Sequence, residues 1–245
     1  MLANLQFNTR PLVVHAPGPL QHKPHWQEIK EAFFSSPRLH LGTIADLTIL
    51  TWNNGNQAMG ILERSLCHLG VPYVVKGEGI SHWINSKHKP LLTYETLNHI
   101  ETKYVMGVDS RDAIVLGDPR KIVERFEQSF SCDLVFGADR MNWPNVARFK
   151  KFEDSLPGAS ESDYKYLNGG MWIGRTEFCR EFFHAALQTE CLNEAPDSEQ
   201  GILKQLFPVY YPRVQLDYRC EMFQNLWLVF NQTIRLIPET EVSIS

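Results

Sequence analysis

Residues 105–115 read VMGVDSRDAIV, an apolar run that closes on two acids three positions apart. The run from Tyr104 to Val108 is too continuous for a half-exposed strand and predicts one buried on both faces, as in parallel sheets. Such a strand delivers Asp109 to the carboxyl edge of the sheet, where open α/β folds bind ligands. Asp112 follows across a turn, so both carboxylates can face one ion. Two hard oxygen ligands with open positions suit Mg²⁺ or Mn²⁺ bridging to phosphate. The plainer reading is that Asp109 caps a turn, and the four residues alone favour it.

The flanking sequence alternates the same way. Leu47–Leu50, Val71–Val75 and Leu134–Gly137 read as buried strands, with a shorter run at Pro11–Val14. Between them, helices are expected at Gln27–Phe34, at Gln57–Leu69 (Met59, Leu62, Leu66 and Leu69 inward), from Pro90 as first residue, and after Asp118-Pro119. Gly70 and Pro72 stop the second of these. Strands alternating with helices predict an α/β fold, a mostly parallel sheet covered on both faces. Residues 1–245 show no linker and no internal repeat and read as a single domain.

Composition narrows the function. With 14 Phe, 6 Trp and 8 Tyr the chain is no disordered segment. A net charge of −4 gives no global basic field for nucleic acid or an anionic membrane. The five cysteines are scattered without a Cys-x-x-Cys pair, which argues against a zinc site or disulfide framework, and most of them lie in apolar stretches and read as reduced core residues. MLANLQFNTR lacks the apolar core of a signal peptide, and no run approaches a membrane span, so a cytoplasmic protein is expected.

Five stretches occur in order: KYVMGVDSRDAIVLGDPRKIVERF (103–126), LVFGADRMNWPN (134–145), YLNGGMWIGR (166–175), DSEQGILKQLF (197–207) and VQLDYRCEMFQNLW (214–227). Together they resemble the glycosyltransferase domain of the procollagen lysyl hydroxylase and collagen glycosyltransferase group. The resemblance implies a GT-A (Rossmann-like) fold with its metal site at the carboxyl edge. It also implies transfer of a sugar, as a hexosyltransferase, from a nucleoside-diphosphate sugar, UDP foremost, to a hydroxyl acceptor. Residues 47–75 resemble the family's first strand and helix, which hold the uracil base, and this implicates Thr51 and Asn53. Lys89 matches a family lysine that touches the donor; a solvated helix-start lysine is the alternative.

Two departures matter. The family's third metal ligand is a histidine in a Val-Val-His-Gly-x-Gly-Pro motif near the end of the domain. Here the counterpart is PLVVHAPGP at residues 11–19, with His15, Gly18 and Pro19, as if residues 1–40 carried the family's last strand and loop in circularly permuted order. A permutation costs little where the old termini meet on the surface, so residues 235–245 are expected to end near residues 1–11. Asp109, Asp112 and His15 are then the metal ligands. Lys23 on the same loop is a candidate for neutralising the β-phosphate, with His22 or solvent as substitutes. The second departure is Arg111, where the family has an aromatic residue; arginine can stack on a base or pair with phosphate.

The acceptor side is read from the remaining motifs. LNGG at 167–170 predicts a turn whose Gly169 and Gly170 let the backbone approach a ligand, with Asn168 bonding sugar or acceptor. Glu199 is the preferred acceptor-side carboxylate. Asp197 is a second acid there or, with Gln200, the start of a helix. Asp217 supports an adjoining turn, and Trp83, Trp143 and Trp172 are platforms for sugar or base unless they are core. Two other classes compete: a non-catalytic nucleotide-sugar or glycan-binding module of the same fold, and a metal-dependent phosphohydrolase or nuclease using the clustered carboxylates.

Overall fold

A computed structural model describes residues 2–56, 58–230 and 233–237. Six strands form the main sheet in the order β4 (Val74–Lys76), β3 (Leu47–Trp52), β5 (Tyr104–Val108), β8 (Tyr166–Arg175), β7 (Leu134–Asp139) and β9 (Val214–Asp217). Five run parallel and β8 runs antiparallel between β5 and β7, so the sheet is mixed but mostly parallel. Alternate side chains go to opposite faces, as the strand period requires. Val105, Leu134 and Phe136 join a core with α3 (Asn85–Leu97), α6 (Thr176–Gln188) and α7 (Glu199–Tyr210). Met106, Val108 and Val135 pack instead with α2 (Ile61–Leu69) and α4 (Arg120–Ser129). Helices α1 (Trp26–Phe34) and α5 (Ala147–Asp154) complete the set.

A smaller sheet, β10 (Phe223–Asn225), β2 (Val13–His15) and β6 (Ala113–Val115), lies against β7 and β8 of the main sheet. Strand β1 (Leu2–Asn4) pairs antiparallel with β11 (Ile234–Leu236), Leu2 opposite Leu236. The two ends of the described chain therefore meet; of the expected 235–245 segment, residues 238–245 lie outside the described residues. No helix among the described residues is long and apolar enough to cross a membrane.

Several local expectations are corrected. Helix α2 begins at Ile61, and Met59 is 51% exposed rather than part of its buried face. The start is held there because Gly60 packs on Ser110: a Cβ at Gly60 would lie 2.0 Å from Ser110 Oγ. The second strand is three residues, Val74–Lys76. Pro90 lies inside α3, whose first turn is closed upstream by Ile84: its carbonyl accepts from His88 N–H at 2.8 Å and its N–H donates to His88 Nδ1 at 2.9 Å. The side chain of Ser198, not Asp197, caps α7 by accepting from Gly201 N–H at 3.0 Å. LNGG is not a turn but part of β8. Its pairing with β7 jumps from Phe136–Trp172 to Gly137–Asn168, so Gly169, Gly170 and Met171 bulge out of the ladder. Trp172 is fully buried against Phe183 and is core.

Candidate active site

The carboxyl ends of β3, β5 and β7 carry Asn53, Asp109 and Asp139 to one edge. Because β8 runs the other way, its first half brings Asn168–Gly170 to the same edge. All of them line one cavity of about 1280 Å³, which also takes in His15, Gly18, Lys89, Arg111, Asp112, Asp197 and Glu199.

His15 arrives by strand register. In the small sheet it lies opposite Ala113 on one side and Asn225 on the other. Ala16 N–H donates to the Asp112 carbonyl at 2.7 Å, locking the two segments together. His15 Nε2 then lies 3.5 Å from Asp112 Oδ1 and 3.7 Å from Asp109 Oδ2. Asp109 N–H donates to the Gly170 carbonyl at 2.9 Å. Gly170 must be glycine here, since a Cβ would stand 2.3 Å from His15 Cε1.

The donor set fits a divalent cation. One imidazole nitrogen and two carboxylates offer ligand atoms all within 4.8 Å of one another. Asn225 Nδ2 donates to the Ala138 carbonyl at 2.8 Å, which turns its Oδ1 toward His15 Nδ1 at 2.9 Å. His15 therefore carries its proton on Nδ1 and aims Nε2 at the carboxylates, the arrangement that outer partners impose on metal-binding histidines. Burial opposes a charge on His15, but Asp112 and Asp109 outweigh it and raise its pKa. Burial likewise works against the Asp112 carboxylate, yet His15, Lys23 and Lys89 hold it below the usual range.

Lys89 spans the centre of the cavity. Its buried ammonium lies 2.8 Å from Asp109 Oδ1 and 2.8 Å from Glu199 Oε2, over the Trp52 ring. The two acids keep it protonated against the cost of burial. Burial pushes Glu199 upward, and Lys89 opposes that shift. Asn168 is held on both sides: Nδ2 donates to Asp139 Oδ2 at 3.0 Å, and Oδ1 accepts from Gly170 N–H at 2.9 Å. Gln200 Oε1 accepts from Gly169 N–H at 3.0 Å.

Other expected residues sit less openly. Thr51 is buried and donates to the Val108 carbonyl at 2.7 Å, outside the cavity lining. Lys23 is buried, its ammonium on the Ala16 carbonyl, and also lies outside the lining. Asn53 lines the cavity but donates to Glu63 Oε1 at 2.7 Å. Arg111 Nη2 donates to Asn54 Oδ1 at 3.1 Å, toward the Trp52 and Trp83 end. Asp197 is exposed at the rim. Asp217 accepts from the N–H groups of Glu221, Met222 and Phe223, supporting the turn before β10.

Sequence reasoning misses Asn225, Asp139, Trp227 and Glu63. Buried Glu63 takes hydrogen bonds from Asn53, Gly60 and Ser110, knitting the end of β3 to the Asp109–Asp112 turn. Asp139 has the same signal as Asp109, an acid ending an apolar strand; Asn225 and Trp227 have none, because only the pairing of β10 with β2 brings that segment to the site, and Glu63 reads only as an acid in the first turn of a helix, bonded to Gly60.

Fold and site together define an α/β fold whose mostly parallel sheet brings a His–Asp–Asp group with the geometry to hold a cation into a wide cleft. Residues 56–243 match the family described as the PLOD GT domain, and the chain belongs to that family, a glycosyltransferase-type domain of the GT-A kind. Procollagen-lysine,2-oxoglutarate 5-dioxygenase 1 of Bos taurus is 28% identical over 130 residues, covering 51% of this chain and 16% of that protein. The human multifunctional procollagen lysine hydroxylase and glycosyltransferase LH3 is 24% identical over 152 residues, covering 59% of this chain and 19% of that protein. The match thus spans less than a fifth of either relative. A solved glycosyltransferase involved in the glycosylation of the major capsid of PBCV-1 is similar at TM-score 0.43 and 12% identity, over 69% of this chain and 80% of that one.

Proposed function

We propose that residues 1–245 form one transferase domain that moves a hexose from a nucleoside-diphosphate sugar, UDP foremost, to a hydroxyl acceptor. His15, Asp109 and Asp112 would hold Mg²⁺ or Mn²⁺, and the convergence of their ligand atoms is the observation that carries this reading. When bound, the cation supplies positive charge against the donor diphosphate. In the reaction the bond from the anomeric carbon to the diphosphate oxygen breaks, that carbon bonds the acceptor oxygen, and the acceptor proton is released.

The protein groups divide around that exchange. Lys89 adds positive charge beside the diphosphate and Lys23 supports it from behind the cavity wall, while Asn53 and Arg111 shape the nucleoside end and Thr51 does so through the Val108 carbonyl. Gly18 and Gly170 shape the ligand's surroundings by making room for the Trp227 and His15 rings that line the cleft, and Gly169 adjoins Glu199, whose Oε2 would lie 3.5 Å from a Cβ there. Glu199, Asn168 and Asp197 serve the acceptor side. The β1–β11 pairing supports the circular order of elements, since it brings Leu2–Asn4 beside Ile234–Leu236 near the two ends of the described residues. A cytoplasmic location is part of the same proposal, and five free cysteines accord with it.

A thermal-shift titration tests the reading. UDP at a hundredfold excess over its Kd should stabilise the fold by about 2.7 kcal/mol with Mn²⁺ present. Two bare carboxylates repel a diphosphate, so excess chelator should abolish the effect. Equal stabilisation in chelator would sink the metal-bridged site. A glycan-binding module would bind without turning over, which UDP release from a UDP-sugar distinguishes.

A further inference from the structure

Behind His15 the hydrogen bonds do not stop at Asn225. Gln224, one residue back along β10, is wholly buried. Its Nε2 donates to the Asn225 carbonyl at 2.8 Å and to the Tyr164 hydroxyl at 2.9 Å. Its Oε1 accepts from Asn4 Nδ2 at 2.8 Å, across 220 positions of sequence. Asn4, Gln224 and Asn225 are each 0% exposed and His15 is 3% exposed, so bulk water reaches none of these bonds.

Asn4 is itself held on every side. It ends β1, opposite Ile234 of β11. Its N–H donates to the Thr9 carbonyl at 2.9 Å, and its Oδ1 accepts from the N–H groups of Gln6 and Phe7 at 3.0 and 3.2 Å. The side-chain oxygen is thus committed to the turn after β1 and the side-chain nitrogen to Gln224. Phe7 then meets the Tyr164 ring edge-on, centroids 6.2 Å apart, so the same turn packs on a second partner of Gln224.

A primary amide can turn over with little change of shape, and the donors and acceptors around it decide which way it faces. Asn4 Nδ2 can only donate, and the Asn225 carbonyl can only accept. Turned over, Gln224 would set its nitrogen against the one and its oxygen against the other, and such mismatches are costly when buried. Asn4 therefore fixes the orientation of Gln224, and Gln224 holds the carbonyl of Asn225. Asn225 in turn places its Oδ1 on His15 Nδ1, with its Nδ2 on the Ala138 carbonyl. A tilt of the Asn225 peptide would carry Oδ1 away from the imidazole that faces Asp109 and Asp112.

Packing alone does not require this arrangement. Replacing both partners of a buried hydrogen bond by apolar groups of the same shape can be neutral for stability. Here a run of amides leads instead from a three-residue strand near the start of the chain to one imidazole.

Resting on the reading of His15, Asp109 and Asp112 as cation ligands, we propose that Asn4 and Gln224 are positioning residues of that site. They act on His15 through Asn225, and β1 is thereby part of the site.

The test uses the full chain and two readouts. Isothermal titration gives the Mn²⁺ affinity. Nitrogen-15 NMR of the metal-free protein, above the titration of the ring, gives the His15 tautomer, its signals identified by their loss in His15→Gln. Asn4→Asp keeps the acceptor that Gln6 and Phe7 use but presents Gln224 with an oxygen in place of a donor, so the Gln224 amide turns over. Mn²⁺ should then bind about fivefold more weakly, the scale on which residues remote from a site act on it. The share of His15 protonated on Nε2 should rise. Gln224→Met, of similar length without the amide, should do the same and stands in if Asn4→Asp does not fold. Leu2→Ala is the control: Leu2 is buried in the same strand but contributes no side-chain hydrogen bond. It should lower the urea midpoint and leave both readouts at parent values.

Parent affinity and parent tautomer in both Asn4→Asp and Gln224→Met would overturn the proposal. So would a loss in Leu2→Ala as large as theirs, since loosening β1 would then suffice. If the parent itself took up no Mn²⁺, the cation reading would fall, and the tautomer would still decide whether Asn4 and Gln224 orient His15.

Discussion

Asn225 Oδ1 accepts the proton of His15 Nδ1 at 2.9 Å, although 210 positions separate the two residues. The bond sets which imidazole nitrogen faces Asp109 and Asp112. Removing it should act on the cation before it acts on the chemistry. Asn225→Ala is expected to weaken Mn²⁺ binding about 10- to 100-fold, the usual effect of losing a partner behind a metal-binding histidine. It should also cost about 1–3 kcal/mol of stability, because the buried Ala138 carbonyl loses its donor. Isothermal titration with Mn²⁺ beside urea denaturation separates the two. An unchanged Mn²⁺ affinity would show that Asn225 merely fills space.

How far the sequence reaches depends on the range of the interaction. The strand ending at Asp109 is legible because a run buried on both faces needs no partner to be recognised. The proximity of Asp112 follows from one turn. His15 is different: nothing in its own surroundings sends it to Asp109, and only the resemblance of PLVVHAPGP to a motif from the other end of the family's domain suggests it. The β8 bulge is illegible, because LNGG reads as a turn until its antiparallel neighbours draw it into a strand. Lys204 is illegible for the opposite reason: a lysine in a helix reads as solvated.

Lys204 is in fact buried, its ammonium 2.9 Å from Glu153 Oε2 and 2.7 Å from Asn142 Oδ1, while Glu153 Oε1 accepts from Leu167 N–H at 2.7 Å. Burial pushes the lysine down and the glutamate up, so neither tolerates losing the other. Lys204→Met should destabilise by about 3–5 kcal/mol, since it strands a buried carboxylate. Glu153→Leu should cost as much. The double variant should be no worse than the poorer single, despite leaving Leu167 N–H and Asn142 Oδ1 without their partners. Urea unfolding of all four proteins closes the cycle, and additive losses would mean that the pair is not coupled.

Acid stability reports on Asp154. It accepts from Lys150, from Tyr166 at 3.0 Å and pairs with Lys165 at 3.0 Å, and its pKa falls to about 2, chiefly through the Lys150 bond. A carboxyl held below its unfolded value adds stability that is full above pH 3.8 and is lost as pH falls toward 2. The side chain is partly exposed and screened, so the contribution should stay under about 1 kcal/mol. Asp154→Asn should be slightly less stable than the parent at neutral pH, and the gap should close between pH 4 and 2. A gap that persists at pH 2, or survives high salt, would assign the loss to packing instead.

Glu199→Gln probes the two halves of the site at once. The carboxylate is buried and shares Lys89 with Asp109. If Glu199 serves the acceptor, removing its charge should lower turnover about 10²-fold, a usual loss for a group that handles a proton, with a smaller change in donor affinity. There is one confounding path. Without Glu199, Lys89 has only Asp109 to neutralise it and competes harder with a cation for that carboxylate. Mn²⁺ affinity must therefore be measured in the same variant, and a loss of a few-fold is expected. UDP release at saturating Mn²⁺ removes that contribution and leaves the effect on turnover. If saturating Mn²⁺ restored the parent rate in full, Glu199 would act only by holding Lys89 away from the cation, and the acceptor-side base would have to be sought at Asp139 or Asp197.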